Sequence, residues 1–236
     1  MRKGEESKNR IVETAEKLFA EKGFEETSVQ DILDELKLSK GGFYHYFATK
    51  MELLTEVCRK RSEEWYSRGA AYVRSLRTGP AERLNAALKL VNLMDRDNPA
   101  LLGVLTEMGA KGEDAAVRRE LRAIAMEKLL PLVEEILEAG MREKQFALRR
   151  PGETARLITL LALDINEEAA REVIADFRNP DCAYQVLELL SAYREAVETL
   201  VNAPYGSMEL FDASEMILSV SRIAAKLAVE ADTKGR

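Results

Sequence analysis

The chain has 236 residues, 46% of them hydrophobic, which is enough for one large or two modest domains with buried cores, and its organisation predicts two. With 35 Lys+Arg against 41 Asp+Glu the net charge is −6, which excludes nucleic-acid binding over the whole surface and confines any attraction for a polyanion to a local patch. No run of 18 or more residues is free of charge, and the polar start MRKGEESK lacks an apolar signal core, so the sequence predicts no membrane contact and a cytoplasmic location.

Glycine and proline fall mostly at punctuation points and β-branched alternating runs are absent, which predicts a nearly all-helical protein. The first helix carries Ile11, Ala15, Leu18 and Phe19 on one face and ends at Gly23, with Phe24 folding back as part of a C-terminal cap. A short helix follows from Thr27, read as its N-cap, with Gln30 completing a capping box. Val29, Ile32, Leu33 and Leu36, spaced i, i+3, i+4, i+7, form the stripe that this helix buries.

Lys37 and Leu38 make a turn, and Ser39 caps a second short helix that runs to about Tyr46 or Phe47. Phe43 and Phe47 lie four apart and face the core, which turns Lys40, Tyr44 and His45 outward, free to touch a partner. Gly41 and Gly42 in the first turn cost about 0.8–1 kcal/mol each relative to alanine. That cost suggests a use: bare backbone at a positive helix end can approach a phosphate or a base edge. Another capping box, Thr49 to Glu52, opens the next helix and fixes where Lys50 emerges. From Leu36 to Met51 there is no Asp or Glu, while Lys37, Lys40, Lys50 and His45 are present, so the segment is a local positive patch supplemented by Arg2 and Lys3 at the start.

These elements in order, RIVETAEKLFAEKGFEETSVQDI and then LSKGGFYHYFATKMELL, resemble the N-terminal domain of the tetracycline-repressor family of transcription regulators over residues of about 9 to 55. The resemblance implies an all-α fold: a three-helix helix-turn-helix DNA-binding domain at 1–50, and a helical effector-binding and dimerisation domain at 51–236. Carried over by position, Thr27, Ser28, Tyr44 and Lys50 resemble phosphate contacts, while Lys40, Gly41, Gly42 and His45, behind the Ser39 cap, would approach base edges. The implied partners are a palindromic operator in double-stranded DNA, a second copy of the chain and a small hydrophobic effector, and the implied function is a homodimeric repressor released by that effector. An alternative keeps the same head and uses the helical domain only for assembly, as a ligand-independent DNA-organising or protein-interaction module. Two positions depart from the family pattern: Lys37 stands where the turn usually has glycine, and Gly42 where a small hydroxyl residue is common.

Beyond the head the chain is read as a linking helix from Lys50 toward Arg77, then helices at 81–95, 98–110, 113–140 with a kink or split at Pro131, 152–177, 179–203 and 207–231. Leu54, Cys58, Trp65 and Tyr72 fall near one stripe of the linking helix. Trp65 and Tyr72, with Met94, Met108 and Met126, suit either plain core or the lining of a pocket for a hydrophobic molecule. Asp164 continues the stripe of Leu157 and Leu161, and an acid on an apolar face must be paired, exposed at an interface or turned to a cavity. Cys58 and Cys182 belong to no CxxC or Cys/His grouping and His45 is the sole histidine, so neither a disulfide framework nor a metal site is indicated, and no cofactor is implied. No G-x-S-x-G, G-x-x-x-x-G-K-[ST] or G-x-G-x-x-G occurs, so no catalytic residues are proposed and an enzyme is not expected.

Overall fold

The computed structural model describes residues 3–91 and 115–234, and among them there are nine α-helices and no strand. The fold class expected from the sequence, all-α, is the one observed. In chain order the helices are α1 (Lys3–Lys22), α2 (Val29–Leu36), α3 (Lys40–Tyr44), α4 (Lys50–Ser75), α5 (Pro80–Lys89), α6 (Ala115–Arg142), α7 (Pro151–Asp176), α8 (Cys182–Val201) and α9 (Ala213–Lys234). The described residues fall into two compact units, 3–65 with 115–124 and 66–91 with 125–234. The first unit thus extends well past residue 50, along α4 to Trp65. The predicted helix at 98–110, with Met94 and Met108, lies outside the described residues.

The first unit is built on α1. Its apolar face, Ile11, Ala15, Leu18 and Phe19, packs with Ile32 and Leu33 of α2, Phe43 of α3, and Leu53, Leu54, Val57 and Cys58 of α4. Gly23 closes α1 at φ +90, a backbone region that side chains disfavour, and this lets Phe24 return onto Phe19 with ring centroids 5.2 Å apart. A row of ion pairs joins α1 to α4: Lys8 to Glu56 at 2.8 Å, Glu13 to Lys60 at 3.0 Å, and Glu16 to Arg61.

On α4 the buried positions run Leu54, Cys58, Ser62, Tyr66, Ala70 and Val73, so the stripe expected through Trp65 and Tyr72 is displaced. Steps of four advance about 40° beyond a full turn, and the buried stripe therefore winds around the helix. Trp65 is left half-buried, in the first unit, and Tyr72 is 60% exposed, in the second.

In the second unit α7, α8 and α9 share a core made by Ala169, Val173, Cys182, Ala183, Val186, Leu190, Met216 and Val220. α6 runs through Pro131 as one helix, against the expected kink or split; Leu129, Leu132, Val133, Ile136 and Leu137 are all buried, and their packing offsets the missing amide. α7 buries Ala155, Ile158, Thr159, Ala162 and Leu163, which leaves Leu157 and Asp164 exposed on another face. The last helix begins at Ala213 rather than near 207 because the preceding loop is held elsewhere: the buried Glu198 carboxylate accepts the amides of Gly206 and Met208, each at 2.9 Å.

The Glu56 carboxyl is held at about 2, well below its ordinary 4.5, chiefly by the Arg59 hydrogen bond and further by Lys8. A depressed carboxyl contributes stability that is present above its unfolded value and is lost as pH falls through the folded one. We therefore expect the first unit to lose stability between about pH 4.5 and pH 2, and Glu56→Gln to flatten that part of the curve in chemical-denaturation measurements across the window. An unchanged slope in the variant would show that Glu56 is not its source.

Candidate nucleic-acid interface

A five-residue helix has too few internal hydrogen bonds to persist alone, so α3 must be fixed by what surrounds it. Phe43 is 0% exposed and Phe47 2%, their rings 6.0 Å apart, and the Phe47 amide donates to the Phe43 carbonyl at 3.1 Å, continuing the helical turn past Tyr44. Ser39 caps the other end, its Oγ accepting the Gly42 amide at 3.2 Å, which leaves the hydroxyl proton available to a partner. With the two phenylalanines inside, Ser39, Lys40, Gly41, Tyr44 and His45 are exposed together on one surface.

Several details of this surface differ by residue. A Cβ added at Gly41 would meet nothing within 4 Å, so the backbone there is open to close approach. The Gly42 amide is already taken by Ser39, so Gly42 offers only its bare Cα. His45 packs edge-on against Tyr46 at 4.9 Å, and Tyr44 stands against Phe43 at 5.4 Å with its ring 56% exposed. Among the described residues neither Lys37 nor Lys40 forms an ion pair.

The turn between α2 and α3 keeps φ at +53 on Lys37, whose amide donates to the Asp34 and Leu33 carbonyls. The chain therefore adopts the geometry that glycine would favour there, and it places the lysine's charge at the exposed edge of the surface. Lys37 was legible only as part of the acid-free segment; nothing in the spacing singled it out as a partner-facing cation.

The capping of α2 is corrected, and two of the expected contact residues turn inward. The N-cap of α2 is Ser28, not Thr27, and the capping-box partner is Asp31, not Gln30: Ser28 Oγ accepts the Asp31 amide at 3.1 Å while Asp31 Oδ2 accepts the Ser28 amide at 2.7 Å. The sequence carried that signal too, in the spacing Ser-x-x-Asp one residue later. Thr27 is wholly buried, and its single hydroxyl proton is shared by the carbonyls of Gly23 at 2.8 Å and Leu18 at 3.2 Å, so the side chain closes α1. Ser28 remains exposed, but its hydroxyl donates to Asp31 at 2.6 Å and the adjacent carboxylate disfavours an anion.

Lys50 also turns inward. Its Nζ donates to the carbonyls of Phe24 at 2.8 Å, Thr27 at 3.0 Å and Glu25 at 3.3 Å, and lies 4.3 Å from the Phe24 ring centroid. The ammonium is directed into its own domain rather than toward a ligand. The start of α4 is otherwise capped as expected by Thr49 Oγ1, which accepts the Glu52 amide at 3.0 Å, although the Glu52 carboxylate reaches back to Ala48 rather than to Thr49.

Residues 11–57 match the family model described as bacterial regulatory proteins, tetR family. The chain is 46% identical over 63 residues to YuxN, an uncharacterized HTH-type transcriptional regulator of Bacillus subtilis (strain 168), a match covering 27% of this chain and 22% of that protein. It is 36% identical over 74 residues to KstR2, an HTH-type transcriptional repressor of Mycobacterium tuberculosis (strain ATCC 25618 / H37Rv), covering 31% and 36%. The chain thus spans only about a fifth to a third of the length of these curated relatives. Among solved structures, RolR in complex with resorcinol superposes with a TM-score of 0.56 at 17% identity, over 94% of this chain and 96% of that one. A tetR-family transcriptional regulator from Pectobacterium atrosepticum gives 0.56 at 21% identity, over 86% and 99%. At these identities the likeness is one of fold.

Holding Lys37 at positive φ costs a non-glycine residue about 1–2 kcal/mol, offset in part by the extra unfolded-state freedom that glycine would bring. We expect Lys37→Gly to stabilise the protein by about 0.5–1 kcal/mol in urea unfolding while weakening any polyanion binding. A loss of stability would mean that the lysine side chain makes up for its backbone.

Proposed function

From the premise that residues 11–57 are a tetR-family head, we propose that this chain is a DNA-binding transcription regulator that acts as a homodimer, represses, and is released by a small-molecule effector. The observation that carries the reading is the surface of Ser39, Lys40, Gly41, Tyr44 and His45, exposed and free of acids, set on the buried Phe43 and Phe47. A helix presented in this way fits the major groove, where lysine suits guanine O6 and N7 and an exposed tyrosine hydroxyl suits a phosphate.

In this reading Lys40 and His45 read base edges, Gly41 and Gly42 allow the backbone to come close, and Tyr44, Ser39 and Lys37 set register on the phosphates. Two copies place their α3 helices in successive major grooves, about 34–36 Å apart, on a palindromic site. The repressor assignment draws on the name of KstR2. The effector step draws on RolR, a protein of similar fold solved with resorcinol. An effector releases DNA only to the extent that it binds the two conformational states with different affinity. Action inside the cell, on chromosomal operators, is part of the same proposal.

Selection of bound fragments from random duplex DNA tests the core of it: a palindromic consensus is expected, and failure to enrich any sequence at low salt would overturn the reading. Against the selected operator, Lys40→Ala should lose about 1–3 kcal/mol at one base position and relax preference there, whereas Tyr44→Phe should weaken all sequences about equally. Titration of both variants against single-base operator mutants separates the roles, and identical profiles would refute the division between them.

A further inference from the structure

A lysine in the first turn of a helix opposes the positive end of the helix dipole, so its presence as the first residue of α4 calls for a compensating interaction. The structure supplies one. An ammonium carries three N–H donors and no acceptor. Lys50 directs its Nζ to three carbonyls, those of Phe24, Thr27 and Glu25, and the Phe24 ring lies 4.3 Å away. All three carbonyls belong to the loop between α1 and α2, outside any helix. With three acceptors for three protons, no donor remains for a phosphate.

That loop is where the head is joined together. It carries Thr27, whose buried hydroxyl ties back to Leu18 and Gly23 at the end of α1, and Ser28, which caps α2. One ammonium on the first turn of α4 therefore holds the end of α1 and the start of α2 together. α2 leads through the Lys37 turn directly into α3, so the same contact limits how the exposed α3 surface can tilt. We propose that Lys50 is a positioning residue for DNA recognition: it locks the 24–27 loop onto the start of α4 and so presents the Ser39–His45 surface in one orientation, without itself touching DNA. The consequence for DNA rests on the function proposed above, whereas the clamp itself does not.

The two possible roles of this lysine leave different traces. A lysine that neutralises a phosphate contributes about 0.9 to the slope of log affinity against log salt, and arginine in its place also binds phosphate well. A clamp contributes nothing to that slope, and the diverging planar fork of arginine does not deliver three protons to three carbonyls that surround one point. With the full-length chain and its selected operator, we expect Lys50→Met to bind every sequence about three- to tenfold more weakly with an unchanged salt slope, because preorganisation is lost. Lys50→Arg should not restore binding. Lys50→Ala should be restored in part by propylammonium chloride relative to sodium chloride at equal ionic strength, since the small cation can enter the carbonyl cage.

A slope reduced by about 0.9 in Lys50→Met, or wild-type affinity in Lys50→Arg, would overturn the proposal. A measurement on the unmutated protein keeps it testable if these variants fold poorly. Reductive methylation of the free chain should modify Lys37 and Lys40 much faster than Lys50, and equal rates would also overturn it. The methylation arm uses no DNA, so failure of the clamp is separable from failure of the DNA-binding reading, which would show instead as no operator binding by the wild-type chain.

Discussion

Burial of Phe43 is the constraint on which the recognition surface depends. α3 is five residues long, includes two glycines in its first turn, and could not hold helical form in water. Burying one phenylalanine side chain contributes about 1.5–3 kcal/mol, comparable with the roughly 2 kcal/mol that the two glycines cost together. With Phe47 beside it, the helix is held from outside by the core of α1, α2 and α4 rather than by its own ladder. With 43 and 47 inward, Gly41 and His45 fall on the opposite side of the helix, and Lys40 and Tyr44, which flank the buried pair, are exposed as well. The exposed surface is mounted on that burial, and a change that reorients Phe43 would reorient everything proposed to touch DNA.

The positive character of this surface comes from the distribution of acids more than from a surplus of bases. Several cations elsewhere in the head have carboxylate partners: Lys8 with Glu56, Lys17 with Glu35, Lys22 with Asp31, Lys60 with Glu13. The more exposed of these pairs add little stability, but all of them cancel fields locally. Lys37 and Lys40 have no such partner among the described residues, and the Lys50 ammonium, still charged, is held by carbonyls instead of by a carboxylate. Of the three lysines in the acid-free segment, Lys37 and Lys40 are therefore the ones whose donors face outward, in a chain whose net charge is −6.

What could be read from the sequence followed from how local each signal is. The α1 face, the Phe43 and Phe47 anchors, the Ser39 cap and the turn at Lys37 are set by spacing within a few residues, and each stands where the pattern put it. Thr27 was misread as the α2 cap and the partners of Lys50 were missed because these contacts are far off in sequence: Thr27 Oγ1 reaches back nine residues to Leu18, and Lys50 Nζ reaches back 26 to Phe24. Composition cannot tell a cation aimed at solvent from one folded onto a carbonyl cage. The same limit applied to α4 and α7, where several apolar stripes compete and tertiary packing picks one, leaving Tyr72 and Asp164 outside. Pro131 reads as a break by local rules, and buried neighbours on both sides overrule it.

The scarcity of free cations bears on why the proposed regulator would work in pairs. With only two outward-facing lysines beside α3, a single head releases few counterions there and gains little from the electrostatic term that dominates nonspecific affinity, and the acidic remainder of the chain opposes it. Base contacts from one short helix give about 1–3 kcal/mol of discrimination per well-made pair, and α3 presents only Lys40 and His45 for the purpose. Joining two such heads makes the second engagement effectively intramolecular, which multiplies two weak affinities without requiring a new contact. It also makes binding sensitive to the orientation of each head, since a misaligned second helix forfeits the whole gain. A rigid mounting of α3, through Phe43 in the core and Lys50 on the loop, is what a weak and doubled recognition element requires.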